Sequence, residues 1–289
     1  MTTSTFVPTP TSILAVPDGR IAYDDMGAGP LVVLVPGVGD VKATYRFLSP
    51  LLVASGYRVV AMDLRGHGAS STGWTDYRDT AIAGDVLALV RHLNAGPAVL
   101  VGNSYGGAAA AYAAAADPTV VRALVLIDAF VHDLPRTFVQ RLAIRALSLL
   151  GPSAWTSYYK SLYKATPPAD LASYINALKA NLKEPGRYAA TLAMFSSTQG
   201  SHAAVEARLP HVQAPALIVM GSKDPDFPDP AAEAAGTAEA LSAAPRVEVK
   251  MIEGAGHYPH AERPDQVAAL MLVFLEHIGV TPQEMHRGA

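Results

Sequence analysis

The chain has no cysteine among its 289 residues. That excludes a disulfide framework, a thiol nucleophile and thiolate metal sites. Charge is sparse as well. Only 16% of residues are charged, the net charge is −3 and there is no long block of one sign. This argues against nucleic acid or an acidic membrane surface as the principal partner. No run approaches the ~20 apolar residues needed to cross a bilayer. Met1 to Thr11 is polar and proline-punctuated, without the basic region and apolar stretch of a signal peptide. Cytoplasmic residence is therefore expected. Metal and nucleotide signatures are missing too. There is no HExxH, and His257 and His260 stand three apart without further ligands; the glycine loops lack both the Gly-x-Gly-x-x-Gly fingerprint and the P-loop lysine. No metal and no cofactor are expected.

What is present is apolar and ordered. Half of the residues are apolar, enough for a sizeable core without staples. Ser12 to Val16 and Arg20 to Asp25, separated by Pro17-Asp18-Gly19, read as a hairpin. Leu31 to Val35 is a short continuous apolar run, as in a strand buried on both faces, and Tyr57 to Met62, Ala98 to Val101, Val121 to Ile127 and Ala216 to Gly221 read as further buried strands. Helical stretches alternate with them: Tyr45 to Ser55, Asp79 to Ala95, the alanine-rich Gly106 to Ala116, Pro230 to Ala243 and Pro264 to Ile278, with a strand at Val247 to Ile252. Such alternation predicts an α/β fold with a mostly parallel central sheet flanked by helices, and ligands beyond the carboxyl ends of its strands. From 131 to 209 the strands stop. Phe138 to Leu150, Ser153 to Tyr163, Ala169 to Leu182 and Tyr188 to Phe195 carry helical spacing between proline and glycine breaks. This predicts a core domain of residues 1–130 and 210–289 with an inserted helical cap at 131–209.

The chemistry gathers around Gly102-Asn103-Ser104-Tyr105-Gly106. An apolar strand ends at Gly102 and a small-residue helix begins just after, so Gly-x-Ser-x-Gly stands in the strand–turn–helix context of a nucleophile elbow. The turn lifts a serine hydroxyl clear of the sheet at a helix N-terminus, where backbone N–H groups favour developing negative charge. A serine needs a base, and a histidine base needs a group that fixes its tautomer. Asp224, in Gly221-Ser222-Lys223-Asp224, is the leading acid, with Asp128, Asp226 and Asp229 as rivals. His257, in Gly256-His257-Tyr258-Pro259-His260, is the leading base, with His260 its near rival. His92, His202, His277 and His286 read as solvated or hydrogen-bonded surface histidines. The oxyanion donors expected for acyl transfer are the backbone N–H groups of Tyr105 and of Val38, in Pro36-Gly37-Val38-Gly39.

Together with Asp63-Leu64-Arg65-Gly66-His67-Gly68-Ala69-Ser70, these motifs in this order resemble the α/β-hydrolase superfamily over Ser12 through Ile278. The resemblance implies Ser104 as nucleophile, His257 as base, Asp224 as orienting acid, and Val38 and Tyr105 as oxyanion donors. Many relatives have His-Gly where this chain has Pro36-Gly37. A serine at 104 sets the chain apart from the branches that use a carboxylate nucleophile. Trp155, Tyr158, Tyr159, Tyr163, Met194 and Phe195, in the insertion, are candidates for an apolar substrate pocket as well as for packing the cap. The expected function is hydrolysis of an ester or related acyl bond in a small, fairly apolar molecule by a monomer or homodimer. Carbon–carbon cleavage, lactone opening, perhydrolysis, or a non-catalytic receptor on the same scaffold are the alternatives.

Overall fold

The computed structural model describes residues 11–132 and 145–282, apart from the side chains of 198–201. One eight-stranded sheet has the order β1-β2-β4-β3-β5-β6-β7-β8. The strands are β1 (Ser12–Val16), β2 (Gly19–Met26), β3 (Leu31–Val35), β4 (Arg58–Met62), β5 (Ala98–Asn103), β6 (Val121–Ile127), β7 (Ala216–Gly221) and β8 (Val247–Ile252). Only β2 runs against the others. β3 shows why its sequence is apolar at every position. Leu31, Val33 and Val35 enter one core cluster and Val32 and Leu34 the other, because successive side chains leave opposite faces.

On one face lie α2 (Asp79–Leu93) and α3 (Tyr105–Ala116); on the other lie α1 (Leu48–Ala54) and the last helix, Pro264–His277. Between β6 and β7 the described residues form only helical segments: 145–150, α4 (Pro152–Ser161), α5 (Leu171–Leu182), α6 (Arg187–Glu206) and a 3-10 turn, Leu209–His211. After β7 come α7 (Pro230–Ala240), β8, the single turn α8 (Pro259–Glu262) and α9, the last helix just given. A third cluster joins α4 and α5 to the loop after β8, through Trp155, Tyr159, Tyr163, Tyr174 and Tyr258. The helix expected at Phe138 to Leu150 lies partly outside the described residues. Two expectations shift. Tyr45 to Ser55 divides into a 3-10 turn (Lys42–Tyr45) and α1, with Pro50 in the first turn of the α-helix, where its missing N–H costs nothing. The helix expected to stop at Phe195 runs on to Glu206, held at Ser197, whose Oγ donates to Tyr77 O at 3.1 Å, and at His202, 3.0 Å from Asp79 Oδ2. No helix among the described residues is long and apolar enough to cross a membrane.

Candidate active site

Ser104 follows β5 and caps α3. Its φ of 55° and ψ of −124° are strained for a residue with a side chain. The turn is held by Ser104 N–H donating to Ile127 O at 3.0 Å and by Ser104 O accepting from Gly107 N at 3.0 Å and Phe130 N at 3.3 Å. A Cβ at Gly102 would meet the Gly106 carbonyl, and one at Gly106 the Val35 carbonyl, so both positions need glycine for close backbone approach. The loop after β3 lies against the serine: a Cβ at Gly37 would stand 2.9 Å from Ser104 Cβ and 3.3 Å from its Oγ.

Two loops meet beside it. Asp224 lies just beyond β7, and its Oδ2 is 2.6 Å from His257 Nδ1, beyond β8. Asp224 Oδ1 accepts from Asp226 N at 2.9 Å, and His257 N–H donates to Leu162 O at 3.0 Å. Asn103, the residue before the serine, donates from Nδ2 to Ile127 O at 3.0 Å and to His257 O at 3.1 Å. It therefore ties the end of β5 to the histidine loop. Both members of the His257–Asp224 pair are buried. Burial works against both charges, yet the attraction between them and their hydrogen bond win. His257 is raised above 6.5 and Asp224 held below 3.8.

A family model for the alpha/beta hydrolase family matches residues 32–270. The chain belongs to the α/β hydrolase family. Among relatives, the 2-(acetamidomethylene)succinate hydrolase of Mesorhizobium japonicum is 29% identical over 269 residues, spanning 89% of this chain and 93% of that protein. Among solved structures, a bacterial membrane phospholipase A superposes with a TM-score of 0.77 at 26% identity, over 93% of this chain and 86% of that one. A hydrolase from Pseudomonas aeruginosa PA01 gives 0.74 at 25% identity, over 92% and 98%. Family membership and these neighbours make the protein a hydrolase.

The other acidic residues considered in the sequence of this α/β hydrolase have different partners. Both carboxylate oxygens of Asp226 accept from Tyr158 OH, at 2.9 and 2.8 Å. Asp128, at the end of β6, has a left-handed φ of 44° and accepts Gly221 N–H at Oδ1, at 2.9 Å. One ligand-type atom from each of Asp128, Asp224 and His257 falls within 4.8 Å of the other two. His260 turns away: its Nε2 is 3.0 Å from Thr44 Oγ1, its ring lies on Tyr45, and burial pulls it down to about 3. His202, expected at the surface, is buried. Its ring sits against Tyr105 and Phe130, with centroids 5.6 and 6.4 Å away, because α6 continues past Phe195 and carries it inward.

The helical segments of this hydrolase grip the loop after β3. Trp155 Nε1 donates to Gly39 O at 3.1 Å, and Gly39 N–H donates to His67 Nε2 at 3.0 Å. Burial lowers His67 to about 4, which keeps that nitrogen free to accept. Asp40 N–H closes the turn onto Gly37 O at 3.3 Å. The buried Asp40 carboxylate accepts from Tyr159 OH at 2.9 Å and from Tyr174 OH, while Tyr163 OH is 3.2 Å from Tyr159 OH. The hydroxyls of Tyr159 and Tyr163 are therefore engaged beneath α4. Met194 is buried in the core, and Phe195 meets Trp155 edge to face at 5.4 Å. Asp40, Asn103 and Phe130 escaped the sequence reading. Asp40 and Phe130 had one usable signal, their place in the loops that follow β3 and β6.

Proposed function

We propose that this hydrolase is a serine hydrolase of ester or related acyl bonds, with Ser104 as nucleophile, His257 as general base and Asp224 as the acid that orients it. The observation carrying this reading is the 2.6 Å contact of Asp224 Oδ2 with His257 Nδ1, at the same strand ends as a serine held at positive φ. With Nδ1–H directed to Asp224, Nε2 is the nitrogen left to take the serine proton. Ser104 Oγ attacks the carbonyl carbon, and His257 accepts the proton and returns it to the leaving group. Water then releases the acid from the acyl-enzyme. The backbone N–H groups of Tyr105 and Val38 serve as oxyanion donors. Support for Val38 is the loop's position against Ser104 and the engagement of the neighbouring Gly39 and Asp40 amides elsewhere.

In this reading residues 131–209 are a cap, and a small, fairly apolar substrate lies between it and the sheet. Phe130 and Phe227, stacked at 4.6 Å, form one wall beside His257; Trp155 and Phe195 contribute on the cap side. A second bond type has a specific basis. The Mesorhizobium relative is named for a small acid bearing an acetamido group, and the same Ser-His-Asp chemistry opens amides. A panel of p-nitrophenyl esters of graded chain length beside the matching p-nitroanilides tests the proposal. Ester turnover that falls at least about a thousandfold in Ser104→Ala is expected; turnover surviving that substitution would sink it. Preference for the anilides would select the second reading.

A further inference from the structure

Asp128 is a buried carboxylate that the proposed mechanism leaves unused, and it faces another carboxylate. It sits at the end of β6, beside Asp224 at the end of the neighbouring strand β7. Its Oδ1 takes the Gly221 N–H at 2.9 Å. Its Oδ2 is wholly shielded from solvent and finds no donor among the described residues. Two carboxylates in contact inside a protein cannot both stay ionised, so one proton must be held between them. Asp224 is the member that keeps its charge, since it faces His257 Nδ1 at 2.6 Å and also accepts Asp226 N–H. Asp128 is left with the proton. Burial, then the Asp224 charge, push its carboxyl well above the usual range, and Glu262 adds a weaker push the same way. The backbone bond from Gly221 N–H opposes them and is outweighed.

We infer that Asp128 is a neutral carboxylic acid whose hydroxyl donates to the Asp224 carboxylate, making it a positioning residue for the Asp224–His257 pair. No proton leaves during turnover; it stays on Asp128 and fixes which oxygen of Asp224 turns to the imidazole. The left-handed φ of 44° at Asp128, which costs backbone energy, aims the side chain across the strand ends. The role in catalysis rests on the serine-hydrolase reading above, whereas the protonation state does not.

The test is Asp128→Asn, whose amide oxygen can accept Gly221 N–H and whose NH2 can donate to Asp224 without ever ionising. Two readouts separate the issues. In urea unfolding the wild-type fold holds a proton that the unfolded chain releases above about pH 4. Wild-type stability therefore falls relative to the variant as pH rises from 5 to 8, by up to about tenfold in the unfolding constant per pH unit. This readout does not depend on any substrate. For catalysis, the variant is expected to keep kcat/KM within about threefold, with the acid limb of the pH profile unmoved, while Asp128→Ala loses about tenfold or more. A stability gap that does not change with pH would show Asp128 ionised and overturn the inference. So would an acid limb displaced downward in Asp128→Asn, because removing a full charge beside His257 lowers its proton affinity. If the asparagine variant does not fold, the protonated-carboxyl infrared band of the wild type at pH 8, compared with that of Asp128→Ser, decides the same question. Persistence of the band in wild type and its loss in the variant are expected; absence in wild type would contradict it.

Discussion

Ser104, His257 and Asp224 lie far apart in sequence, and at the level of single side chains the account depends on their convergence. Asp224→Asn keeps the shape of the acid but removes the charge opposite Nδ1, and its own amide can no longer accept from both sides. A loss of kcat on the order of 10³- to 10⁴-fold, with KM changed little, is expected in steady-state kinetics. The base must be neutral to act, and His257 is raised above 6.5 by Asp224 despite its burial. The acid limb of kcat/KM should therefore fall above that value, and activity should drop as pH decreases through it. Strand-end glycine motifs mark these three residues as the candidates in the sequence. Asp128 was legible only as a rival acid. Its proton-holding character depends on a neighbouring strand pair, β6 beside β7, that no local motif records.

At the level of elements, α4 and α5 are fastened to the loop after β3 from above, and His67 fastens it from below. The elements themselves read well from apolar runs and proline or glycine breaks, with ends shifted by a few residues. The fastening did not. An aspartate after Gly37-Val38-Gly39 reads as an ordinary turn residue, yet Asp40 is buried under two tyrosines drawn from helices more than a hundred residues away. Burial raises its carboxyl above the usual range against the pull of Tyr174, Val41 N–H and Tyr159. Removing a donor leaves that group less satisfied. Tyr159→Phe and Tyr174→Phe should each cost about 1–3 kcal/mol in urea unfolding. Trp155→Phe removes the Nε1 donor to Gly39 O and keeps most of the ring. A kcat reduced by about three- to tenfold, with a smaller change in KM, is the expected kinetic result if that loop holds the oxyanion.

For the whole molecule, the hydrophobic pattern dictates central strands β3 to β7 largely buried on both faces, and this is why the order of strands and helices was readable. The continuation of α6 to Glu206 was the main miss. Ser196 to Gly200 is a polar stretch with poor helix formers, and tertiary anchors at Ser197 and His202 override that local preference. The site leaves its mark on global stability as well. His257, raised, adds stability that is complete below 6.5 and lost as pH climbs through its folded value; Asp224, lowered, adds stability present above 3.8 and lost as pH falls. The stability advantage of the wild type over His257→Gln should therefore be largest between those values and smaller at pH 9, as read by urea midpoints at constant ionic strength.

The catalysis proposed for this hydrolase depends on the His257–Asp224 pair making Ser104 nucleophilic. Incubation with a fluorophosphonate, followed by peptide mass mapping, tests it most directly. A single adduct is expected on the peptide carrying Ser104, formed rapidly near neutral pH and reduced by at least about a hundredfold in rate in folded His257→Gln. A folded wild-type protein that remains unlabelled at Ser104, or that is labelled there equally fast without the imidazole, would contradict it.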